Sequence, residues 1–384
     1  MDLIDTPIDG TLVRGHLDLE RTADGLLPHR LPVAARRRIP DARLAGAQAQ
    51  PSGVRLVFRT AATVIELETL PTKRAHAGLP AQPDGVYDLV VDGRLLAQTT
   101  VPGGNVDTVV DMLTQRSERT AGTPGTARFA GLPAGEKDVE IWLPHNEITE
   151  LIALRTNAPV SPQRPEDRVW LHHGSSISHG SNATHPTGTW PAIAAAAGGV
   201  DLLNLGFGGS AVLDPFVARA IRDSPADLIS LKIGINLANL DVMRLRAFTP
   251  AVHGFLDTIR DGHPTTPLLV LSPILCPIQE HTPGPVMPVP SAERLRFEAT
   301  GDPAEVRMGK LTLTVIREEL ARIVADRSGE DPNLHLLDGR ALYGADDNVR
   351  LPLPDGLHPD AATHQLIGTR FGDIAFGPGG FFAL

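Results

Sequence analysis

Five polar residues in the second half of the chain have the types and order that acyl chemistry on a serine requires. Such chemistry needs a hydroxyl nucleophile, a base for its proton, an anion that orients the base, and donors for the developing oxyanion. The loop His172-His173-Gly174-Ser175-Ser176-Ile177-Ser178-His179-Gly180 follows an apolar run, Val169-Trp170-Leu171. Small residues at the end of a strand let the backbone turn sharply and hold a side chain out. Ser176 can supply the hydroxyl. His358 can take its proton near neutral pH. Asp355 lies three residues before His358, across a turn opened by Gly356, where its carboxylate can fold back and fix the imidazole tautomer. Pro359 biases His358 away from helical geometry and suits the first position of a following helix. Gly209 can offer a bare backbone N–H to the oxyanion, Asn236 its side-chain NH2, and Ser176 its own N–H.

These residues need elements that bring them together. From Arg168 onward, apolar runs alternate with helical patterns. The runs at Arg168–His172, Val200–Leu205, Asp227–Ile233, Pro267–Ile274 and Leu334–Leu337 read as strands. The segments Trp190–Ala197, Pro215–Ile221, Val242–Arg260, Val306–Arg327 and Pro359–Phe376 read as helices. Five strands alternating with helices predict an open, doubly wound parallel sheet. Chemistry in such sheets sits at the carboxyl ends of the strands, and Ser176, Gly209 and Asn236 each follow one. Asp355 and His358 come after the fifth strand and just before the last helix.

The first 160 residues have a different rhythm. Short alternating runs such as Val54–Phe58 and Val64–Leu70 recur with Gly/Pro turns between them. Val86–Val91 and Arg94–Val101 flank Asp92-Gly93, a strong hairpin signal. An antiparallel β-sandwich is expected over 1–160, with the α/β domain over 161–384. Asn157–Pro165 holds three prolines and reads as the linker. The segment between Cys276 and Pro303 is rich in proline and reads as a lid or pocket wall. The basic trio Arg36-Arg37-Arg38 reads as a solvated face or a docking contact.

Gly174-Ser175-Ser176-Ile177, Gly209, Asn236 and Asp355-Gly356-Leu357-His358 resemble, in order, the sequence blocks of the SGNH/GDSL hydrolase superfamily. The resemblance spans roughly Arg168 to Ala375. It implies a flavodoxin-like three-layer α/β/α fold with a five-stranded parallel sheet. It places the nucleophile on Ser176, with Asp355 and His358 as its partners and Ser176, Gly209 and Asn236 as the oxyanion hole. It implies ester chemistry without a metal or a cofactor; a coenzyme A- or carrier-linked acyl donor enters only for a transferase. The family's aspartate before the nucleophile is Ser175 here, so hydrogen bonding around the loop must differ. A sandwich followed by such a domain, together with Asp24–Pro32, looks like a narrower bacterial group that includes the salicylyl acyltransferase of tetracycline tailoring.

Other chemistries fit less well. The α/β-hydrolase elbow needs Gly-x-Ser-x-Gly, and position 178 is Ser. No phosphate-binding Gly-x4-Gly-Lys-Ser/Thr occurs. One cysteine, Cys276, excludes an internal disulfide and a Cys-rich zinc site and reads as a buried thiol. His172, His173, His179 and His185 lie close in sequence, but no carboxylate sits at a useful spacing, so no metal is expected. His179 reads as a pocket-wall residue and His364 as a helix-face residue. A net charge of −10 argues against nucleic acid or an anionic membrane as partner. The N-terminus lacks the pattern of a signal peptide, so a cytoplasmic location is expected.

Three functions follow from these residues. The first is hydrolysis of a small-molecule or carbohydrate acyl ester through an acyl-serine. The second is transfer of an acyl group, for example an aromatic one, from a thioester to a natural-product hydroxyl by the same residues. The third is a non-catalytic glycan-binding protein on the same scaffold; retention of all five positions disfavours it. Substrate identity and oligomeric state lie beyond the sequence.

Overall fold

The computed structural model describes residues 3–78, 80–111, 116–163, 168–290 and 295–383. The chain forms two compact units, Met1–Glu166 with Thr184–Thr187, and Asp167–Ala183 with Gly188–Leu384.

The first unit is built from two sheets, one of eight strands and one of six. Their alternating apolar residues form one core, including Leu56, Phe58, Ile65, Leu67, Tyr87, Leu89, Val139, Ile141, Leu151 and Leu154. The hairpin at Asp92-Gly93 forms as expected. Both residues take positive φ, 47° and 74°, which matches the twist of the flanking strands. The sandwich is not wholly antiparallel, because Val64–His76 pairs in parallel with Asn105–Val109. The first 50 residues also contribute strands at Ile4–Thr6, Val13–Arg14, Asp18–Arg21 and Leu26–His29, and helices at Val33–Arg36 and Ala42–Ala49. These strands have two to four residues, too short for an alternation to register. Arg30 is fully buried and donates to the Ala47 and Gln50 carbonyls at the end of the second of those helices. Arg36 pairs with Asp18 and Glu20 rather than standing free. The expected linker is partly a strand: Val160–Pro162 pairs with Phe58–Thr60, and Arg164 and Pro165 lie outside the described residues.

The second unit carries the five parallel strands: β1 (Val169–Gly174), β2 (Asp201–Gly206), β3 (Leu228–Lys232), β4 (Leu268–Leu271) and β5 (Leu334–Leu337). They order as β2-β1-β3-β4-β5, the flavodoxin order, with the switch between β1 and β3. The strands are nearly continuous apolar runs because helices cover both faces. The helices are α1 (Ser176–His179), α2 (Trp190–Gly198), α3 (Pro215–Arg222), α4 (Ile235–Leu240), α5 (Leu245–Arg260), α6 (Leu313–Arg327), α7 (Ala345–Arg350) and α8 (Ala361–Phe371). The helix expected from Val306 begins later. A 3₁₀ turn at Pro303–Met308 ends in Gly309, and Thr312 caps α6 by accepting from the Val315 N–H. The proline-rich insertion contains a β-hairpin, Val286–Pro290 paired with Leu295–Ala299; residues 291–294 lie outside the described residues. Among the described residues, no helix is long and apolar enough to cross a membrane.

Candidate active site

The turn after β1 is held by its small residues. Ser176 opens α1, where the first N–H groups of a helix have no internal acceptor. Asn204 on β2 ties this turn down: its Nδ2 donates to the Ser178 carbonyl at 2.9 Å while its Oδ1 accepts from the Gly206 N–H. Gly206 permits the close approach, since a Cβ there would lie 2.5 Å from the His179 nitrogen. Ser176 ends up 7% exposed.

The residues that sequence placed together do meet. His358 Nε2 lies 3.0 Å from Ser176 Oγ, and His358 Nδ1 lies 2.8 Å from Asp355 Oδ2. The other carboxylate oxygen accepts from the His358 N–H at 2.7 Å and the Leu357 N–H at 2.9 Å. Asp355 therefore closes its own turn and also aims the imidazole. Burial pushes the Asp355 carboxyl up, but the hydrogen bond and charge of His358 and the two N–H donors outweigh it and hold it at about 2. The carboxylate stays ionised down to about pH 2.

The other two expected residues, Gly209 and Asn236, lie in the loop after β2 and at the start of α4, the helix that follows β3. Gly209 takes φ 67° in the loop after β2. That loop is anchored by the Gly208 N–H, which donates to His179 Nδ1 at 3.3 Å. Asn236 is 1% exposed and sits in the first turn of α4. Its Oδ1 accepts from the Ala211 N–H at 3.0 Å, which fixes the amide orientation and turns Nδ2 the other way.

The remaining histidines have separate structural partners. His172 joins Ser230 and Ser178, each at 2.7 Å, and burial holds its imidazole well below the usual range. His173 Nδ1 meets the Leu205 carbonyl, and His185 meets Asp88. Among the described residues, no group of His, Cys, Asp or Glu could hold a metal ion. His179, expected on the pocket wall, is buried and accepts from the Gly208 N–H of the Gly209 loop. His364 donates from Nε2 to the Ser181 carbonyl and accepts from the Trp190 N–H; burial lowers it to about 4. The Ser175 hydroxyl is buried with no partner among the described residues. Cys276 is buried, with its thiol pushed up to about 12 by burial, and it points at the Gly356 carbonyl.

Three contributors escaped the sequence reading. Asn182, in the left-handed region at φ 66°, donates to Asp355 Oδ2 at 3.3 Å. Asn204 is hidden inside an apolar strand. Phe297, on the insertion hairpin, places its ring 5.5 Å from that of His358 at an interplanar angle of 80°. Asn182 and Phe297 belong to no motif, and Asn204 opens the stretch Asn204–Ser210 at the end of β2 with nothing to mark its role.

Residues 173–366 match the GDSL-like lipase/acylhydrolase family. The chain belongs to this family. It is an enzyme of the esterase and acyltransferase type, on the α/β fold described above. Residues 12–151 match the N-terminal domain of SsfX3. Consistently, the chain is similar to the salicylyl-acyltransferase SsfX3 from a tetracycline biosynthetic pathway: 29% identity, TM-score 0.78, over 96% of this chain and 95% of that one. The fold is shared with a family two carbohydrate esterase from Clostridium thermocellum, solved with cellohexaose, at 13% identity and TM-score 0.57 over 84% and 91% of the two chains. It is shared as well with an acetyl xylan esterase from Butyrivibrio proteoclasticus, at 10% identity and TM-score 0.55 over 99% and 100%. Among curated proteins, none matches the chain in sequence.

Proposed function

We propose that the chain transfers an acyl group through Ser176, taking it from a small-molecule ester or thioester and passing it to a hydroxyl. The observation that carries this is the chain of contacts Ser176 Oγ–His358 Nε2 and His358 Nδ1–Asp355 Oδ2 at 3.0 and 2.8 Å. His358 takes the Ser176 proton as Oγ attacks the acyl carbon. The oxyanion so formed is held by the N–H groups of Ser176 and Gly209 and by Asn236 Nδ2. Collapse breaks the bond to the leaving group, which receives the proton from His358. An acceptor hydroxyl then gives its proton to His358 and attacks the acyl carbon, and His358 passes that proton to Ser176 Oγ as the Oγ–acyl bond breaks. Water in place of the acceptor makes the same site an ester hydrolase.

Likeness to a salicylyl-acyltransferase along nearly the whole chain, N-terminal unit included, supports transfer to a natural-product hydroxyl over hydrolysis. A donor linked to coenzyme A or a carrier protein suits that reading. The test is intact mass after exposure to a serine-directed fluorophosphonate. One adduct on the wild type and none on Ser176→Ala is expected. An unchanged adduct on the variant refutes Ser176 as nucleophile and points to Ser175. No adduct on the wild type refutes an activated serine.

A further inference from the structure

The hairpin of paired strands Val286–Pro290 and Leu295–Ala299 is tied at its base to α4 and on the second strand to the Asp355 backbone. At its base, the Thr300 and Gly301 N–H groups donate to the Pro285 and Pro283 carbonyls, at 2.9 and 3.1 Å. Gly284 there lies against the Ala238 carbonyl of α4, the helix that carries Asn236; an added Cβ would come within 1.9 Å of it. On its second strand, the Phe297 N–H donates to the Asp355 carbonyl at 2.9 Å. The Asp355–His358 turn is thus clasped. Phe297 backbone lies on one side, 3.2 Å from where a Gly356 Cβ would be, and Cys276 Sγ meets the Gly356 carbonyl.

The side chain does something the backbone contacts do not. Asp355 and Ser176 hold the two nitrogens of His358, which leaves the ring free to rock about the line joining them. The half-buried Phe297 ring meets it at 80°, an edge-to-face arrangement that resists this rocking. In register, Phe297 stands opposite Pro288, and Ala299 opposite Val286, so the face that carries Phe297 is apolar. An apolar wall beside the base gives a water molecule no hydrogen-bond partner there.

We propose that Phe297 is the positioning residue of the general base, and that its ring biases the acyl-serine toward an alcohol acceptor and against water. This rests on the acyl-serine reading above. The alcohol proton passes to His358 as the alcohol oxygen bonds to the acyl carbon, and His358 gives it to Ser176 Oγ as the Oγ–acyl bond breaks.

The test compares wild type, Phe297→Ala and Phe297→Tyr on p-nitrophenyl acetate, with and without 1-butanol. Rates are divided by the sites that a fluorophosphonate titrates. For Phe297→Ala, kcat per titrated site should fall about tenfold, from loss of the ring contact and a looser base. KM should change less than about threefold, and the ratio of butyl acetate to acetate should fall by a similar factor. Phe297→Tyr, which keeps the ring edge, should restore both. A merely structural role would lower the titrated fraction and Tm but leave kcat per site and the product ratio unchanged, and that result overturns the proposal. A wild type that takes no label refutes the acyl-serine reading itself, and the proposal with it.

Discussion

Asp355→Asn should remove almost all turnover while leaving the fold in place. The geometry dictates how the new amide sits. The Leu357 and His358 N–H groups, at 2.9 and 2.7 Å from one oxygen, require an acceptor, so the amide oxygen stays there. The NH2 then occupies the position 2.8 Å from His358 Nδ1. An amide nitrogen only donates, so Nδ1 must accept, and the imidazole proton moves to Nε2. Nε2–H now faces Ser176 Oγ as a donor and cannot serve as its base. The flipped amide restores the tautomer but sets its NH2 against two N–H donors. The unflipped NH2 meets one donor of its own, Asn182 Nδ2 at 3.3 Å, so the flip costs about 2–4 kcal/mol net, which leaves about 10⁻² to 10⁻³ of the enzyme flipped. Even that fraction lacks the negative charge that stabilises the imidazolium, so kcat should fall on the order of 10³–10⁴. The assay is initial-rate release of p-nitrophenol from a small ester, with circular dichroism and thermal melting to verify folding. A folded variant that keeps more than a tenth of wild-type kcat would refute the tautomer argument.

Other consequences can be checked alongside. Asn236→Ala should lower kcat by on the order of 10²–10³ if its amide holds the oxyanion, and a loss under about threefold in steady-state kinetics removes it from that role. The same variant strips the Ala211 N–H of its acceptor, so thermal melting should show a stability loss of roughly 1–3 kcal/mol. Because the Asp355 carboxyl is held at about 2, well below its unfolded value, protonation of Asp355 should not limit the rate above about pH 4, and an acid limb that Asp355→Asn removes without loss of the fold contradicts this. In the first unit, burial raises the Glu147 carboxyl to about 7, although it accepts from the Gly85 N–H at 2.7 Å and Lys73 opposes the shift. Its folded value lies above its unfolded one, so its contribution is complete below about 4.5 and is lost as pH rises through 7. From about pH 5 to 8, the stability gap between Glu147→Gln and wild type should move in the variant's favour by roughly 1–3 kcal/mol, and a pH-independent gap in denaturant titrations would exclude the shift.

What the sequence could disclose followed its periodicities. The five parallel strands are largely apolar and separated by helical patterns, so the sheet was legible to within a few residues at each end. Ser176, Asp355 and His358 were legible because each follows a strand in a block of recognisable residue types. What stayed hidden depends on contacts between segments far apart in the chain. Phe297 looks like any aromatic residue until its strand is seen against the Asp355 carbonyl. Asn204 breaks no pattern, since β2 reads as apolar around it. The strands before Leu31 are too short to show alternation, and the break at Gly309 hides inside an otherwise helical stretch.

Ser176 and His358 are separated by 182 positions. A ribosome adding roughly 5–20 residues per second needs about ten to forty seconds to cover that distance. Throughout this interval the emerging polypeptide carries a serine with no base to ionise it. The Ser176–His358 contact therefore forms only after the Asp355–His358 turn has been made and packs beside strands synthesised long before it.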